Sequence, residues 1–154
     1  ITRVQMQKYE NYAQKHDLNM YILREHLPIR VVVGTDHPLA KRDFVDVSEI
    51  PHYPFVTFQG IDHEDILGAI GINEVEIQYV SSRATFYDAV RYGGYISTSI
   101  DFAEGEEERS GCVVLPCKNY QDSYVPVAFS ISRSTMSNRE KEFLKYLKQR
   151  LAEV

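Results

Sequence analysis

The sequence Pro28-Ile29-Arg30-Val31-Val32-Val33-Gly34-Thr35-Asp36-His37-Pro38-Leu39-Ala40 decides the fold class of this chain of 154 residues. Its first half is rich in β-branched residues and predicts a buried strand that ends at Gly34. Pro38 fixes its own φ and favours an extended His37, so residues 35–40 are predicted to form a turn. A buried strand that leads into a proline turn indicates an α/β domain.

Helices and strands are predicted to alternate along the rest of the chain, which favours a mostly parallel sheet flanked by helices. An amphipathic helix is predicted over residues 3–16, and the capping box Ser137-x-x-Glu140 begins the last helix. Two further helices are predicted, one capped by Asp62 and ending near Ile70, the other capped by Ser81 or Ser82. The first two strands could pair as neighbours. The predicted strands are 20–23, 27–33, 54–58, 75–80, 95–99, 112–115 and 125–131.

Composition and charge exclude several classes of function. The formal net charge of −5 argues against a nucleic-acid-binding surface, since phosphate contacts need clustered Lys and Arg. No apolar run approaches the length of a bilayer span, and no signal-peptide pattern opens the chain. We expect a cytoplasmic protein without membrane contact. Because the first residue is Ile1, the simplest interpretation is a fragment of a longer protein.

The cysteines and histidines do not predict a metal or cofactor site. Cys112 and Cys117 flank a short apolar strand, and neither has a C-x-x-C partner. Five residues of extended strand separate them by roughly 16 Å, too far for a disulfide. The five histidines show no zinc-ligand spacing. We therefore expect two free thiols and neither metal nor cofactor.

The segment Thr57-Phe58-Gln59-Gly60-Ile61 is the best candidate ligand site. It joins the carboxyl end of a predicted strand to the start of a predicted helix. Unpaired N–H groups and the helix dipole favour an anion there, and Thr57 and Gln59 can add hydrogen bonds. Ligands of open α/β sheets bind off the carboxyl ends of strands. An ordinary capped strand–helix loop would have the same sequence features, and Ser81-Ser82-Arg83 is a second loop of this type.

A catalytic site is not predicted. Ser97, Thr98 and Ser99 lie near a Gly-Gly turn, but no G-x-S-x-G elbow surrounds them. His37 precedes Pro38 and is interpreted as a turn residue rather than a general base. The glycines in residues 68–71 stand at a predicted helix end, whereas phosphate recognition needs them at a helix start.

The order of the motifs resembles the effector-binding domain of LysR-type transcriptional regulators. Val31 to Ala40 is similar to the family's strand and "HPLA" turn, and the likeness continues through residues 47–58. Residues 90–96 resemble the family's helix that leads into a glycine turn and strand. Leu115-Pro116, the strand at 125–130 and the last helix complete a pattern that covers nearly the whole chain.

This resemblance implies a fold like that of periplasmic binding proteins, with a small-molecule pocket between two α/β subdomains. Residues 1–154 would be a single partial effector-binding domain: the second subdomain at about 18–124, then the returning strand and terminal helix at 125–154. The start of that domain and the winged helix-turn-helix that binds DNA would lie outside this sequence. The family's pocket, carried over by position, falls on residues 57–61.

The resemblance also implies the partners and the function. The partners would be a small-molecule effector, with an organic anion as the expected class, and further copies in a homodimer or tetramer. Effector binding would modulate DNA binding and transcription by the full-length protein. Three alternatives remain: a solute-binding protein of a transport system with the same fold, a small α/β enzyme, or a fragment that self-associates through open strand edges.

Overall fold

The computed structural model describes residues 1–60, 76–99, 111–120 and 122–152. The chain divides into two compact units: unit 1 is Ile1–Leu27 with Asp122–Val154, and unit 2 is Pro28–Gln121. Short 3₁₀ turns occupy Arg3–Gln5, Pro38–Lys41 and Val47–His52. In chain order the helices and strands are α1 (Met6–Lys15), β1 (Leu18–Ile22), β2 (Arg30–Gly34), β3 (Val45–Asp46), β4 (Phe55–Phe58), β5 (Ile77–Val80), α2 (Arg83–Tyr92), β6 (Ser97–Ser99), β7 (Cys112–Lys118), β8 (Val127–Ile131) and α3 (Asn138–Ala152).

Unit 1 is built on an antiparallel pair of strands, β1 and β8, whose register runs from Leu18 opposite Ile131 to Ile22 opposite Val127. Helix α1 packs on this pair, and the rings of Tyr9 and Tyr12 each lie 6.4 Å from that of Phe129. The chain leaves α1 through Asp17, whose φ of +53° turns it directly into β1.

Helix α3 begins at the predicted capping box. The hydroxyl of Ser137 accepts a 3.3 Å hydrogen bond from the backbone N–H of Glu140, whose carboxylate accepts from Ser137 N–H at 2.7 Å. These reciprocal bonds satisfy donors that the first helical turn leaves free. At the other end of α3, Leu151 is buried, and its carbonyl oxygen accepts a hydrogen bond from Arg24.

The described residues of unit 2 form two sheets. One has the strand order β3-β7-β2-β6, in which β2 pairs antiparallel with both β6 and β7 while β3 runs parallel to β7. The other is the parallel pair β4–β5. A parallel bridge between Phe55 and Ile96 connects β4 to the residue that precedes β6.

Helix α2 closes the core of unit 2. Val32, Val56 and Val80 come from three strands and pack with Phe86 and Val90 of α2. The helix approaches β2 closely at Gly34, where an added Cβ would lie 2.7 Å from the carbonyl oxygen of Val90. A glycine is required there because the neighbouring atoms belong to the backbone and have little freedom to move.

The structure confirms the α/β class, but the described sheets are mixed rather than mostly parallel. Three of the five described ladders are antiparallel, because β8 runs opposite to β1, and β2 runs opposite to both β6 and β7. The predicted pairing of the first two strands is wrong, since β1 pairs with β8 and β2 with β6 and β7. Leu27 lies between β1 and β2 in the sequence, and its backbone N–H and C=O both form hydrogen bonds with the backbone of Tyr124. This segment therefore does not form a hairpin between β1 and β2. The helix predicted after Asp62 lies outside the described residues.

None of the helices in the described ranges is long and apolar enough to cross a membrane.

Candidate functional site

The candidate site lies where the parallel strands β4 and β5 end. Thr57 stands opposite Tyr79, and Phe58 opposite Val80. The backbone N–H of Gln59 extends the ladder by donating to the carbonyl oxygen of Val80 at 2.9 Å. Because the strands are parallel, the loops that leave them emerge at the same edge of the sheet.

The five predicted site residues divide between the protein interior and its surface. Thr57 is buried, and the half-buried Phe58 stacks on Phe86 with ring centroids 4.9 Å apart. Gln59 and Gly60 are exposed, and the φ of +80° at Gly60 makes the turn that a side chain would strain. Ile61 lies outside the described residues. Gln59 is therefore the described side chain of this segment that is free to meet a ligand from solvent.

The second predicted loop, Ser81-Ser82-Arg83, reaches the same edge. Ser82 is the N-cap of α2, and its hydroxyl accepts a hydrogen bond from the backbone N–H of Thr85 at 3.1 Å. Since Val80 precedes this loop and bonds to Gln59, the topology brings the two loops side by side. The positive end of the α2 dipole and the Gln59 amide thus lie at one sheet edge, an arrangement that suits an anion.

Ser97 has a structural role. It is 3% exposed, and its hydroxyl donates a 2.7 Å hydrogen bond to the carbonyl oxygen of Val56. That bond ties β6 to β4 behind the candidate site. A buried hydroxyl that donates to a backbone carbonyl is poorly placed to attack a substrate.

His37 also has structural contacts. Its Nδ1 accepts a hydrogen bond from the backbone N–H of Leu39 at 3.2 Å, so the side chain caps the 3₁₀ turn that begins at Pro38. Its ring lies 4.8 Å from that of Tyr53. Partial burial lowers the pKa of His37, because it penalises the charged imidazolium.

Neither Cys112 nor Cys117 forms a disulfide bond. Cys112 is buried in the core of unit 2, and Cys117 is half-buried on β7. Desolvation, together with the negative charge of Asp46, raises the pKa of Cys117 to about 11. Within the described ranges, no group of three or more His, Cys, Asp or Glu side chains could hold a metal ion.

A groove in unit 1 was missed by the sequence analysis. It encloses about 680 Å³ between β1 and α3, with Tyr21 and Leu144 among its lining residues. Lys141, Lys145 and Lys148 stand along it at successive turns of α3. Their helical spacing is visible in the sequence, but the facing strand is not, so the lysines resembled an ordinary solvated helix face.

The fold and the paired loops describe a ligand-binding α/β domain, and comparison with known proteins gives the family. The family model of the LysR substrate binding domain matches residues 13–152. This chain belongs to that family. No curated protein matches it.

Solved structures of LysR regulators have a similar fold. A putative LysR family regulator from Pseudomonas aeruginosa matches with a TM-score of 0.70 and 14% identity, over 88% of this chain and 49% of that one. The effector binding domain of QuiR in complex with shikimate matches at 0.64 and 21%, over 89% and 66%. The Synechocystis PCC6803 CcmR regulatory domain in complex with 2-PG matches at 0.62 and 20%, over 96% and 76%.

Because the sequence identity to these solved structures is only 14–21%, the structural matches show that the fold is shared and nothing more. The chain spans about half the length of the first two regulators it matches, both from Pseudomonas aeruginosa.

Proposed function

We propose that this chain is part of the effector-sensing domain of a LysR-type transcriptional regulator and acts by binding rather than by turnover. The observation that carries the proposal is the meeting of the β4 and β5 loops at one sheet edge, where the α2 N-terminus lies beside Gln59. The match to the LysR substrate binding domain over residues 13–152 supports it independently.

The effector is a small organic anion. The two loops offer hydrogen-bond donors and a helix dipole, which stabilise negative charge. QuiR and CcmR, whose domains share this fold, were solved in complex with small molecules. Of the five predicted residues, Gln59 contacts the effector directly and Gly60 shapes the turn. Thr57 and Phe58 hold the loop from below, and Ile61 remains a predicted contact.

Effector binding shifts the population of conformations of the full-length regulator. The regulator works in the cytoplasm as a homodimer or tetramer, and it contacts DNA through a winged helix-turn-helix that is not in this sequence. A solute-binding protein of transport would have a similar fold, but the family match favours the regulator.

Two measurements test the proposal. The coding sequence upstream of Ile1 should encode a winged helix-turn-helix, whereas a secretory signal there would overturn the assignment. The complete effector-binding domain should show a rise in melting temperature of several degrees with at least one member of a panel of organic acids, amino acids and aromatics. A ligand at 100 times its Kd stabilises by about 2.7 kcal/mol. If no member of the panel raised the melting temperature, the proposal would be contradicted.

A further inference from the structure

The side chain of Phe58 lies beneath the point where the two loops of the candidate site meet. Gln59 follows Phe58 directly, and Val80, its partner across the parallel ladder, directly precedes the Ser81-Ser82-Arg83 loop. Paired residues of neighbouring strands direct their side chains to the same face of a sheet. Since Val80 packs in the core with α2, the side chain of Phe58 also lies on the face that α2 covers.

Helix α2 meets this side chain with its first turn. Phe86 lies one turn after the N-cap, and its backbone N–H donates to the carbonyl oxygen of Ser82 at 3.1 Å. Helical side chains lean towards the N-terminus, so the ring of Phe86 lies beneath the first turn of α2. Phe58 stacks on this ring, with centroids 4.9 Å apart and ring planes at 14°. The Phe58 ring therefore connects the end of β4 to the start of α2, and both carry hydrogen-bond donors of the candidate site.

The stacked rings form an apolar floor beneath the site. Phe86 is 8% exposed and Phe58 is half-buried, and the ring of Tyr87 meets that of Phe86 edge-on at 5.4 Å. Neither phenylalanine has a polar side-chain atom, so the floor offers an effector no hydrogen bond. Packed interiors leave little unfilled space, so a group on the effector cannot enter between the rings. An anion that binds at the loops therefore stops at this floor.

We propose that Phe58 determines the size of the effector that the candidate site accepts. Its ring occupies the space between the Gln59 loop and the first turn of α2, so the site takes a compact anion whose bulk points away from α2. This inference rests on the proposed function and adds a specificity-determining residue to it. Removal of the ring would leave an apolar cavity directly beneath the hydrogen-bond donors. Such cavities stay dry and bind aromatic molecules, so a ring on the effector would take the place of the Phe58 ring.

The test compares two carboxylate probes, acetate and phenylacetate, which differ by one aromatic ring. Their affinities for the complete effector-binding domain are measured by NMR titration in the wild type, in Phe58→Ala and in the milder variant Phe58→Leu. The affinity ratio of phenylacetate to acetate should rise about tenfold or more in Phe58→Ala, because the added ring is removed from water. Phe58→Leu should give a smaller rise, because leucine leaves less space.

The matched controls are Phe55→Ala and Phe55→Leu. Phe55 is 1% exposed and also lies on β4, but side chains alternate along a strand, so it points to the opposite face of the sheet. These variants remove the same ring at a distance from the donors, and they should change the affinity ratio less than about twofold. Circular dichroism should show all four variants folded.

Benzene, which carries no charge, separates this inference from the proposed function. It should raise the melting temperature of Phe58→Ala and leave that of the wild type unchanged, whether or not the loops bind an anion. If benzene bound to a folded Phe58→Ala but phenylacetate bound no more tightly than benzene, the loops would not hold a carboxylate. The proposed function would then be wrong, and the size limit with it.

Two other results would overturn the inference alone. Benzene might fail to bind a folded Phe58→Ala, which would show that the ring leaves no cavity when it is removed. The Phe55 and Phe58 variants could also change the affinity ratio equally. In either case Phe58 would not limit the size of the effector, and the proposed function would be unaffected.

Discussion

The hydroxyl of Ser97 donates a 2.7 Å hydrogen bond to the carbonyl oxygen of Val56, and both residues are buried. The bond links β6 to β4 beneath the candidate site. Ser97→Ala should lower the free energy of unfolding by about 1–3 kcal/mol, since it leaves a buried carbonyl without this donor. Urea unfolding measures the loss. Ser132→Ala, at an exposed position, should stay within about 0.5 kcal/mol of the wild type, and equal losses would contradict the assignment.

Gly34 and Gly60 should respond differently to substitution. At Gly34 a Cβ would lie 2.7 Å from the Val90 carbonyl oxygen, so Gly34→Ala should destabilise unit 2 by about 1–3 kcal/mol or more. At Gly60 a Cβ would meet nothing within 4 Å, and the cost comes from its φ of +80°. Asn tolerates that conformation, so Gly60→Asn should recover most of the stability that Gly60→Ala loses. If Gly34→Asn also recovered the stability that Gly34→Ala loses, steric contact with the Val90 carbonyl would not be the cause of that loss.

The free energy of unfolding should fall in mild acid because of His37. Its pKa is lowered in the folded state from an ordinary value of 6.5, because burial disfavours the charged ring. The neutral ring therefore stabilises the fold fully above pH 6.5, and this contribution is lost as the pH falls towards the folded pKa. Denaturation midpoints at pH 8 and pH 5.5 test this. His37→Asn keeps a capping acceptor and should lose less stability on acidification, whereas the exposed His52→Asn should behave like the wild type.

Cys117 should react slowly with alkylating agents. Because burial and the charge of Asp46 raise the pKa of Cys117 to about 11, the thiol is almost entirely protonated at pH 8, whereas the thiolate is the nucleophile. Asp46→Asn removes a negative charge that raises this pKa and keeps a side chain able to cap the Val47–His52 turn, so it should speed alkylation. Peptide mass spectrometry separates Cys117 from Cys112. Asp43→Asn is the charge-matched control, and an equal acceleration by both variants would exclude a local effect of Asp46.

Gln59 should contribute to effector affinity without contributing to stability. Gln59→Ala should weaken binding to the complete effector domain by about threefold to tenfold, the loss of one hydrogen bond. Gln78→Ala removes a comparable exposed amide from β5 and should leave affinity unchanged. Calorimetry with the effector found in the panel measures both. If the two variants bound the effector with equal affinity, Gln59 would not be a contact residue.

Local sequence signals predicted most of the elements that the structure describes. The β-branched run before Gly34 forms β2, Ser82 caps α2, and the Ser137–Glu140 capping box begins α3. These predictions succeeded because propensity and capping act over a few neighbouring residues. The order of such motifs was also enough to suggest the LysR family.

The sequence by itself determined the α/β class, the elements and the segment that carries the candidate site. Tertiary structure decided which strands pair: β1 joins β8 across most of the chain, although the next strand follows closely in sequence. It also decided that Phe58 stacks on Phe86 while Gln59 reaches solvent, and that the Ser82 loop lies beside them. The physical reason is that strand pairing and burial depend on contacts between residues far apart in the chain, which local propensity does not encode.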